Sequence, residues 1–176
     1  MAGPPFDFCD SAAALAGALA ARVPRPAAVV GVGNPLRGDD GFGPAVVAAL
    51  RGAGGLRLFD VQAVPESFLV PIVESGCPGL VLADAADLGA APGRVAVVPA
   101  DRLAEVDVST HALALGLVAE AVARLARQAG RQVSTVLVAA QPASLEAPDV
   151  LSPAVAGAVR LAAAGLKEFA ALPPGR

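Results

Sequence analysis

Two adjacent carboxylates, Asp39 and Asp40, stand in the glycine-rich stretch GVGNPLRGDDGFGP at residues 31–44. An apolar run precedes the stretch and a helical pattern follows it. Gly-rich turns between a strand and a helix ordinarily bind phosphate through free backbone N–H groups. Gly33 and Gly38 have the spacing of a phosphate-binding P-loop, but Asp39 and Asp40 occupy its lysine and hydroxyl positions. Gly31-Val32-Gly33 opens like a dinucleotide fingerprint, yet Leu36 stands at the third glycine position. An acidic turn repels phosphate and attracts a cation.

More polar residues fall at the ends of other apolar runs: Asp60, Asp84, Asp87 and Gln141, with Asn34 beside the acidic turn. In an open α/β sheet, ligand sites form beyond the carboxyl ends of the strands. Carboxylates gathered there without a cation raise one another's pKa and cost stability. His111, the only histidine, stands at an expected helix start. The positive end of a helix disfavours imidazolium and keeps the ring in its neutral, metal-binding form. Two carboxylates and one imidazole with open positions suit a divalent transition metal. Plainer readings stand beside these. Asp39 can simply cap its turn, Asp60 can cap or support a site, and His111 can be an exposed capping residue. No HExxH motif is present, and Ser75 and Ser144 lack the glycines of a nucleophile elbow.

The elements that must position these residues alternate. Strands are expected at 27–32, 56–59, 79–83, 94–98 and 133–140, and helices from about 44, over 67–74, after Ser109-Thr110 and after Ser152-Pro153. Only a short loop separates the third strand from the fourth. A parallel crossover needs about a dozen residues, so the fourth strand should run antiparallel. Leu113, Leu117, Ala121 and Leu125 are expected on the inner face of the third helix, and Val155, Val159, Leu166 and Phe169 on that of the last. The fold class is therefore α/β: a three-layer α/β/α sandwich on a mostly parallel five-stranded sheet with one antiparallel strand. Residues 1–26 read as an appendage, a short helix capped by Asp10 or Ser11 with a Pro-bounded linker, and residues 27–172 as the single domain.

Composition narrows the function. The chain has 176 residues and a net charge of −3 with acids and bases interspersed, so no basic face for nucleic acid is expected. Much of the 55% hydrophobic content is alanine, which implies a closely packed core. Cys9 and Cys77 form no metal-type pair, and a reducing cytoplasm is expected. The apolar run near the N-terminus lacks a basic leader, so it does not read as a signal peptide. No membrane span is expected, and no heptad demands a dimer, so a monomer is expected.

The 31–44 stretch resembles the opening motif of the NiFe hydrogenase maturation endopeptidases. The likeness continues in register through LVLADAADLGAAPG (80–93), STHALAL (109–115) and AAQPASLE (139–146) followed by LSPAV. It covers roughly residues 27–169, and the DD turn with the DAADLG segment is similar to the subgroup serving formate-linked hydrogenases. The resemblance implies an endopeptidase that removes the C-terminal extension of the hydrogenase large-subunit precursor after nickel insertion. It implies that Asp40, Asp84 and His111 contact the nickel carried by that substrate, the resting site being empty. Many members carry Asp-Gly-Gly after the second strand, where this chain has Asp60-Val61-Gln62-Ala63. Two alternatives stay open: a non-catalytic nickel-binding or chaperone protein docking on the same subunit, and a small-molecule-binding α/β domain.

Overall fold

The computed structural model describes residues 6–108, 112–146 and 150–173. Among them the chain forms β1 (Asp7–Cys9), α1 (Ala12–Ala20), β2 (Ala27–Val32), α2 (Phe42–Ala49), β3 (Leu56–Gln62) and α3 (Leu69–Glu74). It continues with β4 (Gly79–Asp87), β5 (Val95–Pro99), β6 (Asp107–Val108), α4 (Ala112–Gln128), β7 (Ser134–Ala140) and α5 (Pro153–Ala171). Ser11 caps α1 by accepting the Ala14 N–H at 3.2 Å, and Ser152 caps α5 by accepting that of Val155 at 3.2 Å. The 67–74 helix is shorter than its pattern suggests, because a 3-10 turn at Pro65–Phe68 leads into α3.

The sheet has seven strands among the described residues. Its main path runs β1-β5-β7-β4-β2-β3, and the two-residue β6 pairs with β4 off that path. β2 pairs in parallel with β3 and β4, and β4 with β7. β5 is antiparallel to both β7 and β1, so it alone runs against the rest of the main path. The antiparallel direction expected for β5 is found, but β5 does not lie beside β4. The turn between them leaves a slot one strand wide, and β7 fills it. β7 belongs in the interior because both its faces are apolar: Val136 and Val138 enter one core, Leu137 and Ala139 the other.

Side chains alternate across the strands and divide the core in two. On one face Val29, Val81 and Val138 meet Phe42 and Val46 of α2, Leu15 and Leu19 of α1, and Val155, Leu166 and Phe169 of α5. On the other, Val30, Leu82 and Leu137 meet Ile72 of α3 and Leu115, Val118 and Val122 of α4. Three layers result.

Two expectations need correction. The five-stranded count omitted β1 and β6. The first lies in the segment read as an appendage, which is built into the fold: β1 covers the free edge of β5, and Leu15 and Leu19 are fully buried. Gly165 of α5 gives Leu15 its seat, since a Cβ there would lie 2.7 Å from Leu15 Cδ2. α1 contains only small residues and two leucines, so its own sequence hardly distinguishes an inner face. The second correction concerns α4, which buries Leu115, Val118, Ala119, Val122 and Ala126, while Leu117 is 59% exposed. A strict four-residue repeat drifts about 40° per step around a helix with 3.6 residues per turn, whereas mixed three- and four-residue steps hold one face. No helix among the described residues is long and apolar enough to cross a membrane.

Candidate functional site

β2 and β4 lie side by side, with Gly31 opposite Ala83. From β2 the chain leaves toward β3 on one side, whereas the strands following β4 lie on the other. Such a switch point opens a crevice beyond the strand ends. Asp39 and Asp40 enter it from a 3-10 turn, Gly38–Gly41, between β2 and α2, and Asp84 enters it from β4.

Two glycines set this geometry. Gly33 has φ +124, and a Cβ there would lie 1.9 Å from the Asp40 carbonyl oxygen and 3.3 Å from Asp84 Oδ1. Its bare Cα lets the acidic turn fold back onto the strand end next to Asp84. Gly43 sits in the first turn of α2, where a Cβ would lie 2.2 Å from the carbonyl oxygens of both Ala83 and Val32. The helix therefore starts directly on the sheet.

Asp40 and Asp84 are buried, each 1% exposed. Asp40 Oδ2 accepts the Asn34 N–H at 3.0 Å. Asp84 Oδ1 accepts the Ala85 N–H at 2.8 Å, while its Oδ2 is buried without a hydrogen-bond partner. Burial, and after it the negative charge of Asp40, push the Asp84 carboxyl well above the usual carboxylate range. Two buried acids, one with a vacant oxygen, can share a proton or accept a cation. Asp84 lies between Leu82 and Ala86, which both enter the α3–α4 core, so strand alternation turns it toward the layer containing α4.

The other polar residues at the strand ends hold structure. Asp39 is a clamp: its Oδ2 accepts the N–H groups of Ala143 (2.8 Å) and Ser144 (3.2 Å), and its Oδ1 accepts that of Ser152 (2.7 Å). Asn34 Oδ1 closes a tight turn by accepting the Leu36 N–H, and Asp87 Oδ1 does the same for Gly89. Gln141 Oε1 accepts the N–H groups of Leu88 and Ala90, tying down the loop after β4. Asp60 lies within β3, not at its end, and does not join the pair; its Oδ1 is buried without a partner.

His111 lies outside the described residues, as does the expected Ser109-Thr110 cap. The chain before it is tied to the strand that carries Asp84, because Val108 of β6 pairs with Ala86. α4 starts at Ala112. Among the described residues, no three His, Cys, Asp or Glu side chains gather as a metal site.

Sequence reasoning missed two features. Nothing local marks Asp39 as the anchor of a loop more than a hundred residues away. Gln62 takes a left-handed φ of 50°, and its carbonyl accepts the Gly33 N–H at 3.0 Å. The only signal was the departure of 60–63 from a Gly-rich pattern.

Fold and site define a three-layer α/β protein with an acid pair at the switch point of its sheet. The chain belongs to the hydrogenase maturation protease family, whose sequence model matches residues 47–167. The hydrogenase 3 maturation protease of Escherichia coli K12 is 35% identical to it over 81 residues, 45% of this chain and 52% of that protein. The chain thus spans about half the length of the curated relatives it matches. Among solved structures, the NiFe hydrogenase maturation protease HycI of Thermococcus kodakarensis superposes with a TM-score of 0.71 at 26% identity, covering 89% of this chain and 97% of that one. The hydrogenase maturating endopeptidase HybD of Escherichia coli superposes at 0.65 with 25% identity, covering 80% and 88%.

Proposed function

We propose that the protein is an endopeptidase that removes the C-terminal extension of a NiFe hydrogenase large-subunit precursor after nickel has been inserted. The observation that carries this reading is the buried, unpartnered Asp84 Oδ2 beside Asp40. An acid held this way is costly unless a ligand completes it. The nickel held by the substrate suits that oxygen, and Asp40, Asp84 and His111 are the residues assigned to contact it. Support for His111 is its place in the chain, three residues beyond Val108 and directly before α4.

In this reading the acids do two things. They recognise the loaded precursor, since two buried carboxylates close enough to feel each other's charge are both ionised at least cost when a cation joins them. They also accept a proton during hydrolysis, Asp40 being suitably placed on the glycine-rich turn. A Lewis acid at that point would polarise the scissile carbonyl or a water. A cytoplasmic setting is supported by Cys9 and Cys77, both buried free thiols.

The test is intact mass spectrometry of a nickel-loaded precursor incubated with the protein. The expected result is a shortened precursor, no cut without nickel, and no cut by Asp40→Asn, Asp84→Asn or His111→Ala. Stable binding without shortening would establish a docking or nickel-chaperone role instead. Unimpaired cutting by both Asp40→Asn and His111→Ala would remove the trio.

A further inference from the structure

β4 outruns its neighbours. Its pairing with β2 ends at Ala83 and its pairing with β7 at Ala85. Asp84 therefore stands on an overhang, with β7 beside it on one side and β2 already past its last partner on the other. Its side chain supplies little anchorage: Oδ1 accepts the N–H of its own neighbour Ala85, and Oδ2 has no partner. The far end of the overhang is held by Gln141, which directly follows β7 and is buried. Gln141 Oε1 accepts the N–H groups of Leu88 at 2.7 Å and Ala90 at 3.2 Å. Its backbone holds the other end of the same turn, donating to the Arg94 carbonyl at 2.9 Å and accepting the Gly93 N–H at 2.8 Å. Alternation from Leu137 and Ala139 puts Gln141 on the sheet face that Asp84 takes.

We infer that Gln141 is a positioning residue for the peptidase, fixing Asp84 from the carboxyl end of β4 through the turn that follows it. The inference rests on the endopeptidase reading. Two N–H donors converge on one end of the Gln141 amide, which identifies that end as the oxygen. Leu88 is buried, so its N–H is costly to leave unmet. Without the acceptor the turn would move to find water. The overhang would follow, because its remaining support is the two-residue pairing of Ala86 and Asp87 with β6. β7 cannot take over by lengthening its ladder, since Pro142 has no N–H to donate. A displacement of about 1 Å in a reacting group lowers a rate steeply, on the order of a hundredfold. Gln141 thus acts on the reaction through Leu88 and the end of β4.

Two measurements on the whole protein test this. The first is amide hydrogen exchange by NMR in Gln141→Met, which keeps an unbranched side chain but removes the acceptor. Exchange at Leu88 and Ala90 should rise about tenfold or more, while Val29 and Val30 of β2 stay as protected as in the wild type. The second is cutting of the nickel-loaded precursor, with kcat and KM measured separately. Gln141→Met should lower kcat about tenfold or more with KM within about twofold, because a reacting group is displaced and substrate contacts are not removed. Gln141→Glu, which keeps an acceptor for both N–H groups, should return kcat to within about threefold of wild type. Gln141→Asn, one methylene shorter, should lower kcat by about threefold, and it decides the matter if the Met protein does not fold. A Met or Asn protein with a freed turn and normal kcat overturns the inference. So does a loss confined to KM, or a loss of kcat that Gln141→Glu does not recover. If the wild type leaves every precursor uncut, the peptidase reading itself fails and this assignment falls with it, whereas failure of the assignment alone leaves the wild type cutting.

Discussion

Asp39 and Asp40 are neighbours in sequence and equally buried, yet they should respond in opposite ways to mutation. Asp39 holds three backbone N–H groups of the segment that leads into α5, at 2.7, 2.8 and 3.2 Å. A hydrogen bond to a charged acceptor contributes about 1.5–3 kcal/mol net. Ala143 and Ser144 are exposed residues, so water can replace part of what their N–H groups lose. Asp39→Ala should therefore cost about 3–4 kcal/mol in all. For a chain of this size that is a fall in Tm of roughly 10 °C. Asp39→Asn keeps one acceptor but turns an NH₂ toward other donors, and should cost about 2 kcal/mol. Asp40→Asn keeps an oxygen for the Asn34 N–H and removes a charge that acts on Asp84, so stability should stay within about 1 kcal/mol of wild type. Urea titration and thermal melts measure both stabilities, and the precursor mass assay measures cutting. The reasoning predicts a destabilised Asp39→Ala protein whose remaining folded fraction still cuts, and a stable Asp40→Asn protein that does not. An Asp39→Ala melt within 2 °C of wild type, or an Asp40→Asn protein that cuts normally, would refute it.

Two further predictions concern other parts of the molecule. The carboxyl of Asp84 is raised in the fold from an ordinary value of 3.8, so the native state holds its proton more tightly than the unfolded chain. Its contribution to stability is present below that value and is lost as pH rises toward the raised one. Asp84→Asn should therefore gain stability over the wild type across that rise and then level off, while abolishing cleavage; thermal melts of both proteins from pH 4 to 8 would show an opposite slope if the reasoning were wrong. Leu15 is fully buried between α1 and α5, so Leu15→Ala should cost about 2–4 kcal/mol in urea titration. A loss under about 0.5 kcal/mol would mean that residues 1–26 are a separable appendage after all.

The buried strands were legible because β2, β4 and β7 need apolar residues on both faces, and their sequences show continuous apolar runs. The caps at Ser11 and Ser152 were legible because capping is local, involving residues three apart. The inner face of α4 was misread, since its pattern admits two stripes and only the sheet beneath chooses between them. β1 was missed because a three-residue strand has no periodicity to detect.

By itself the sequence determined the type and order of the main elements and the list of polar residues at the strand ends, all properties of short segments. Only the tertiary structure decided what each polar residue does. Asp39 became a clamp because its partners stand 104 to 113 positions along the chain. Asp40 and Asp84 became a pair because Gly33 and Gly43 let turn, helix and neighbouring strand approach within backbone contact. Asp60 stayed apart from the pair because alternation along β3 turned it to the opposite face of the sheet from Asp84.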